Sequence, residues 1–153
     1  LLRSSVKAQM VMDIEQASSF IFLKMENDIK KSYDATVTGS GKTLTLYQGS
    51  PASPTTMTYK IASGTPDCSS ADMGCMLLNT IKLTDDTLVD GKPTLSAVSI
   101  DLANSGFTLA TSSGKTIAVN IIIKFIKPSL PSNAKMFYAE TRMDTTVVLR
   151  GSY

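Results

Sequence analysis

No Gly and no Pro interrupts residues 1 to 33, and Val6, Met10, Ile14, Ala17, Ile21, Met25 and Ile29 recur there at spacings of three or four. That period commits the start of the chain to one long amphipathic helix with a single apolar stripe. The other positions carry Arg3, Lys7, Gln9, Asp13, Gln16, Lys24 and Lys31, which predicts a face turned to solvent. Glu26 and Lys30 stand four apart in the favourable order, and Lys30 and Lys31 suit the negative end of the helix dipole. Beyond them Thr36, Val37, Gly39 and Gly41 withdraw helical support, so the helix is expected to stop between Ser32 and Asp34. A rod of this length spans roughly 45 to 50 Å. A chain of 153 residues cannot cover all of it, so part is expected to project.

The chain opens on Leu1-Leu2 without an initiator Met or a capping Ser or Asp, which predicts that a hydrophobic segment once preceded it. Phe20, Ile21, Phe22 and Leu23 form the densest apolar cluster of the helix, far too short to span a bilayer. The length and the 42% hydrophobic, 18% charged composition fit one domain with a sizeable core. Within it, residues 1–34 read as the helix and residues 35–153 as a β-rich head.

After the helix the apolar period changes to two. Val119, Ile121, Ile123 and Phe125 share one face with Ile117, while Ala118, Asn120, Ile122, Lys124 and Ile126 share the other, as in a central strand. Phe137, Ala139, Thr141, Met143, Thr145, Val147 and Leu149 alternate in the same way, and this strand is expected to pair with its predecessor across a loop at 128–133. Shorter strands are predicted at 43–48, 56–62, 76–83, 95–102 and 106–110, between Gly, Pro, Ser and Asp turns. The expected class is α+β, a long N-terminal amphipathic helix packed on an antiparallel β-sheet.

Cys68 and Cys75 are the only cysteines. Their spacing is not that of a redox or zinc pair, and no His is present to complete a metal site, so the expectation is a disulfide and an oxidising compartment. Fifteen basic and thirteen acidic residues leave a net charge of +2 with no basic run, so no nucleic-acid partner is predicted.

Ser40-Gly41-Lys42-Thr43 and Ser113-Gly114-Lys115-Thr116 resemble fragments of phosphate-binding loops, but Thr36 and Leu109 stand where the additional Gly is required. Both read as turns. Without His the usual general base is missing, and no catalytic residue, metal or cofactor is predicted. Asp85, Asp86 and Asp90 lack the ligand pattern of an EF-hand loop and read as a solvated turn.

Several segments resemble the soluble regions of type IV pilin-like proteins, and among them the J-type minor pseudopilin of type II secretion. Residues 25–32 (MENDIKKS) resemble the charged stretch where the family's helix meets its head, and 57–61 (MTYKI) an early strand. Residues 119–125 (VNIIIKF) and 145–150 (TTVVLR) resemble the last two strands. The resemblance implies a non-catalytic subunit of an extracytoplasmic bacterial filament, at the inner membrane, in the periplasm or on the cell surface. Its partners would be other pilin or pseudopilin subunits, with the inner membrane reached through a segment preceding Leu1. Leu1, Leu2, Arg3 and Lys7 would then lie near the membrane, and Val6 to Ile29 would pack on the head. The alternative from another class is a secreted adhesin or carbohydrate-binding module.

Overall fold

The computed structural model describes residues 2–69, 73–94, 96–127 and 139–151. The chain opens with helix α1 (Leu2–Lys30), about 43 Å long by its 29 residues. Its end is tight. The Ser32 hydroxyl donates to the Asp28 carbonyl at 2.6 Å, and the Ser32 N–H closes a last turn on Ile29. Two residues that the sequence reading left to the helix therefore already belong to the turn.

Strands β1 (Asp34–Thr38), β2 (Thr43–Ser50), β3 (Ser53–Ser63), β4 (Gly74–Leu78) and β5 (Ile81–Lys82) form a five-stranded antiparallel sheet in chain order. β6 (Leu88–Val89) and β7 (Lys92–Pro93) make a short hairpin. A second sheet is built on β10 (Lys115–Ile126), flanked by β11 (Glu140–Val148) on one side and by β8 (Ser99–Ile100) and β9 (Gly106–Ser112) on the other. The β10–β11 ladder runs in register from Ala118↔Val148 to Ile126↔Glu140. Phe137 and the 128–133 loop expected there lie outside the described residues.

The expected class is corrected by this architecture. The described residues hold eleven strands in two main sheets and a hairpin against a single α-helix, so antiparallel sheet dominates and the helix is the minor component. The sequence reading laid a helix on one sheet. The chain instead folds two sheets together, and one core joins Ile14, Ile21, Met25 and Ile29 of α1 to Leu44, Tyr59 and Ile61 of one sheet and to Val119, Ile121, Ile123 and Phe125 of the other. Two segments carry the difference. The polar-looking run of β1 pairs with β2 from Asp34↔Tyr47 to Thr38↔Thr43, and the strand predicted at 76–83 breaks at Asn79, where φ is +58°, into the β4–β5 hairpin.

The two sheets meet at Gly74. Its N–H donates to the Ser99 hydroxyl at 3.0 Å, and a Cβ built on it would stand 2.0 Å from the Ile100 carbonyl oxygen. A second tie links Gly41 to Phe107 through a backbone hydrogen bond of 2.8 Å.

Candidate functional site

The described part of the inner stripe of α1, from Met10 to Ile29, is committed to the head. Met10, Ile14, Ile21, Met25 and Ile29 are buried and Ala17 is half-buried. Burying five such side chains contributes about 10 kcal/mol before chain entropy is counted. Val6 and Leu2 lie within the helix with side chains outside the described set, as does that of Arg3, whereas Lys7 is exposed and Leu1 is not described. The stripe is flanked by polar pins. Asp28 accepts from the buried Tyr59 hydroxyl and lies 3.7 Å from the Lys24 ammonium, while Gln48 donates to the Asp28 carbonyl at 2.9 Å. Burial and the Asp28 carboxylate together push the Tyr59 phenol well above its usual range. Asp13, expected in solvent, is instead drawn to the buried Lys127 ammonium at 3.3 Å.

The other side of α1 is unexpected. Ser5, Gln9, Met12, Gln16, Ser19 and Leu23 are all exposed and follow one another at alternating spacings of four and three, with no charge among them. Their average period of 3.5 residues is that of a helix–helix seam, although only Met12 and Leu23 of the six are apolar and the next positions in the series are the charged Glu26 and Lys30. Met12 is 50%, Leu23 59% and the adjoining Phe20 54% exposed. The helix therefore carries, opposite its buried apolar stripe, an uncharged face with a few exposed large apolar residues. The signal was present in Phe20 to Leu23, but the Gln and Ser residues between the large side chains disguised the seam as a wetted face.

Beside this seam runs a groove between α1 and β11. One part, about 620 Å³, is lined by Phe22, Glu26 and Lys30 on the helix and by Thr145 to Val148 on the strand. A further part lies between Ser18, Ser19 and Phe22 and residues 141–143. Helix and strand thus run side by side in the same direction.

The segments weighed for chemistry resolve into structural parts. Ser40 and Gly41 turn the chain between β1 and β2, and the Lys42 ammonium donates to the carbonyls of Leu102 and Ser105. Ser113 and Gly114 turn β9 into β10. Asp85 and Asp86 point to different partners. Asp85 accepts from the Thr87 N–H and hydroxyl and from Ser96, contacts that outweigh its burial and hold it below the usual carboxylate range. Burial alone would raise Asp86, which is only 3% exposed, but the Lys82 ammonium at 2.7 Å and the Ser69 N–H at 2.7 Å hold it low as well.

The contribution of both carboxylates is complete above the unfolded value of about 3.9 and disappears as pH falls through their lowered folded values. Asp85→Asn and Asp86→Asn are expected to flatten the acid limb of a stability–pH curve measured by urea unfolding. An unchanged limb would show that these contacts persist in the unfolded chain. At Lys127 burial disfavours the charged form, so stability again rises with pH, but at the alkaline end. Its pKa is lowered by burial, partly offset by Asp13 and Asp85, so its cost to stability lapses as pH rises towards about 10.5.

Cys68 and Cys75 are joined in a disulfide with a Cα–Cα distance of 5.8 Å, packed with Ala62 and Leu77 in a small cluster of their own. The bond closes a short loop at the rim of the five-stranded sheet. Replacing both cysteines by Ser is expected to cost about 2 to 3 kcal/mol while leaving the native circular dichroism intact; global unfolding would show that the loop holds more than itself.

No helix among the described residues is long and apolar enough to cross a membrane. No protein-family model matches the chain, and neither a curated protein nor a solved structure matches it.

Proposed function

We propose that this chain is a non-catalytic assembly subunit, a minor pilin or pseudopilin of a type IV pilus or type II secretion filament, held among its neighbours by the outer face of α1. The observation that carries the reading is the charge-free seam of Ser5, Gln9, Met12, Gln16, Ser19 and Leu23, with half of Met12 and more than half of Phe20 and Leu23 open to solvent. Exposed large apolar residues gathered on one face, with no charge between them, favour association. The resemblance of residues 25–32, 57–61, 119–125 and 145–150 to pilin-like segments gives the association its kind.

The magnitudes favour a polymer over a pair. Covering the exposed halves of three such side chains is worth about 3 to 4 kcal/mol per subunit. Association costs at least about 4 kcal/mol in lost freedom, so one such contact does not hold a dimer in dilute solution. Many contacts per subunit, or prior concentration at a membrane, make the same seam effective. The disulfide suits an extracytoplasmic setting.

The test is a Phe20→Asp, Leu23→Asp double variant in the full gene. Both side chains lie outside the core, so the head is expected to melt within about 0.5 kcal/mol of the parent. Filaments sheared from cells should nevertheless lack the variant subunit. Normal incorporation would overturn the reading, and specific glycan binding by the soluble head with filaments unaffected would favour the adhesin alternative.

A further inference from the structure

We propose that reduction of the Cys68–Cys75 bond turns this corner of the head into a site for a thiophilic divalent cation, held by Cys68 Sγ, Cys75 Sγ and a carboxylate oxygen of Asp86. The inference is independent of the filament reading. Among the described residues these donors form a group of three whose ligand atoms all lie within 4.8 Å of one another, each on a buried residue. A tetrahedral zinc-like centre with metal–sulfur bonds of about 2.3 Å and metal–oxygen bonds of about 2.0 Å sets its ligands roughly 3.5 to 3.8 Å apart. The three donors lie within 4.8 Å of one another, so once the bond is opened small side-chain rotations bring them to those separations. With the Cα atoms of Cys68, in the bend after β3, and Cys75, on β4, 5.8 Å apart, the freed sulfurs can separate by side-chain rotation.

The surroundings fit a cation of this class. Two thiolates and one carboxylate around a divalent ion leave a single negative charge, and the Lys82 ammonium, 2.7 Å from Asp86 Oδ1, neutralises it. The Ser69 N–H holds Asp86 Oδ2 at 2.7 Å, the outer-shell hydrogen bond that orients a ligating carboxylate. Soft sulfur donors select zinc, cadmium or cobalt over magnesium or calcium, and three protein ligands leave a fourth position to water.

The redox step balances. A dithiol reductant gives two electrons and two protons to the Cys68–Cys75 bond, is itself oxidised to its cyclic disulfide, and leaves two thiols. The cation then releases both thiol protons to solvent as it binds. Disulfide and metal are thus alternative ways of closing the same loop.

The test uses the whole chain reduced with a dithiol, freed of excess reductant under nitrogen and titrated with Co²⁺ alone. One equivalent is expected to bind, with a thiolate-to-cobalt charge-transfer band and the visible bands of a tetrahedral centre. The oxidised chain should show neither. Asp86→Asn should weaken binding by at least about tenfold. If that variant does not fold, Asp86→Glu serves, because a carboxylate displaced by one methylene must shift the visible bands of a bound cobalt. Absence of the charge-transfer band, loss of the native circular dichroism on reduction, equal affinity in Asp86→Asn or unshifted bands in Asp86→Glu would each overturn the proposal.

Discussion

Replacing Ile21 by Asp, alone or together with Ile14→Asp, is expected to abolish the cooperative thermal transition of the head. Ile21 is wholly buried and Ile14 is 1% exposed, in one core with residues of both sheets. Truncating such a side chain already costs about 2 to 5 kcal/mol. A carboxyl group placed there must also lose its hydration or take up a proton. Together these reach about 5 kcal/mol or more, on the scale of the whole stability of a domain this size. Differential scanning calorimetry decides the matter. Melting of the double variant at the parent temperature would mean that α1 is an appendage and not part of the core.

Gly74→Ala is the second large effect, and it arises from a single methyl group. The added Cβ would fall 2.0 Å from the Ile100 carbonyl oxygen and 2.7 Å from a Leu102 methyl. The first neighbour is backbone, so a side chain cannot swing aside to relieve it. β4 and β8 must part, and the Gly74 to Ser99 hydrogen bond goes with them. Overpacking of this kind costs about 3 kcal/mol or more. Denaturant unfolding measures it, with Gly114→Ala as a contrast. Gly114 has nothing within 4 Å of its Cβ position, so only its φ of +77° is strained by the exchange. A smaller loss at Gly74 than at Gly114 would mean that the sheets are not in contact there.

These two sites also mark how much of the fold is legible in the sequence. Ile14 and Ile21 announce themselves through a local period, as do Val119, Ile121, Ile123 and Phe125, because a helix or strand with one buried face writes its geometry directly into the spacing of apolar residues. Gly74 announces nothing. Its importance comes from Ile100 and Leu102, more than twenty residues away, and the sequence holds no sign of that approach. The same holds for β1, whose Asp-Ala-Thr-Val-Thr is too short and too polar to read as a strand until Leu44 to Tyr47 supply its partner. The dominance of sheet followed from pairings of this kind, decided by register between distant segments.

The candidate site was legible in the opposite sense. The inner stripe was plain, but the outer seam was hidden because Gln9, Gln16 and Ser19 count as polar in any one-stripe reading. An uncharged ridge differs from a solvated one in lacking Lys and Glu, not in being apolar throughout. Asp86 shows the reverse error. In sequence it looked like part of an acidic turn, yet the fold turns it inward to Lys82, Ser69 and the sulfurs.

The side-by-side course of α1 and β11 has a mechanical consequence. A pull along the axis of α1 loads its seat in shear, so the buried stripe, the Lys127–Asp13 pair and the Tyr59–Asp28 bond must all yield together. A pull across the axis would peel the same contacts away one at a time. A head mounted in this way resists tension along the helix axis far better than torque.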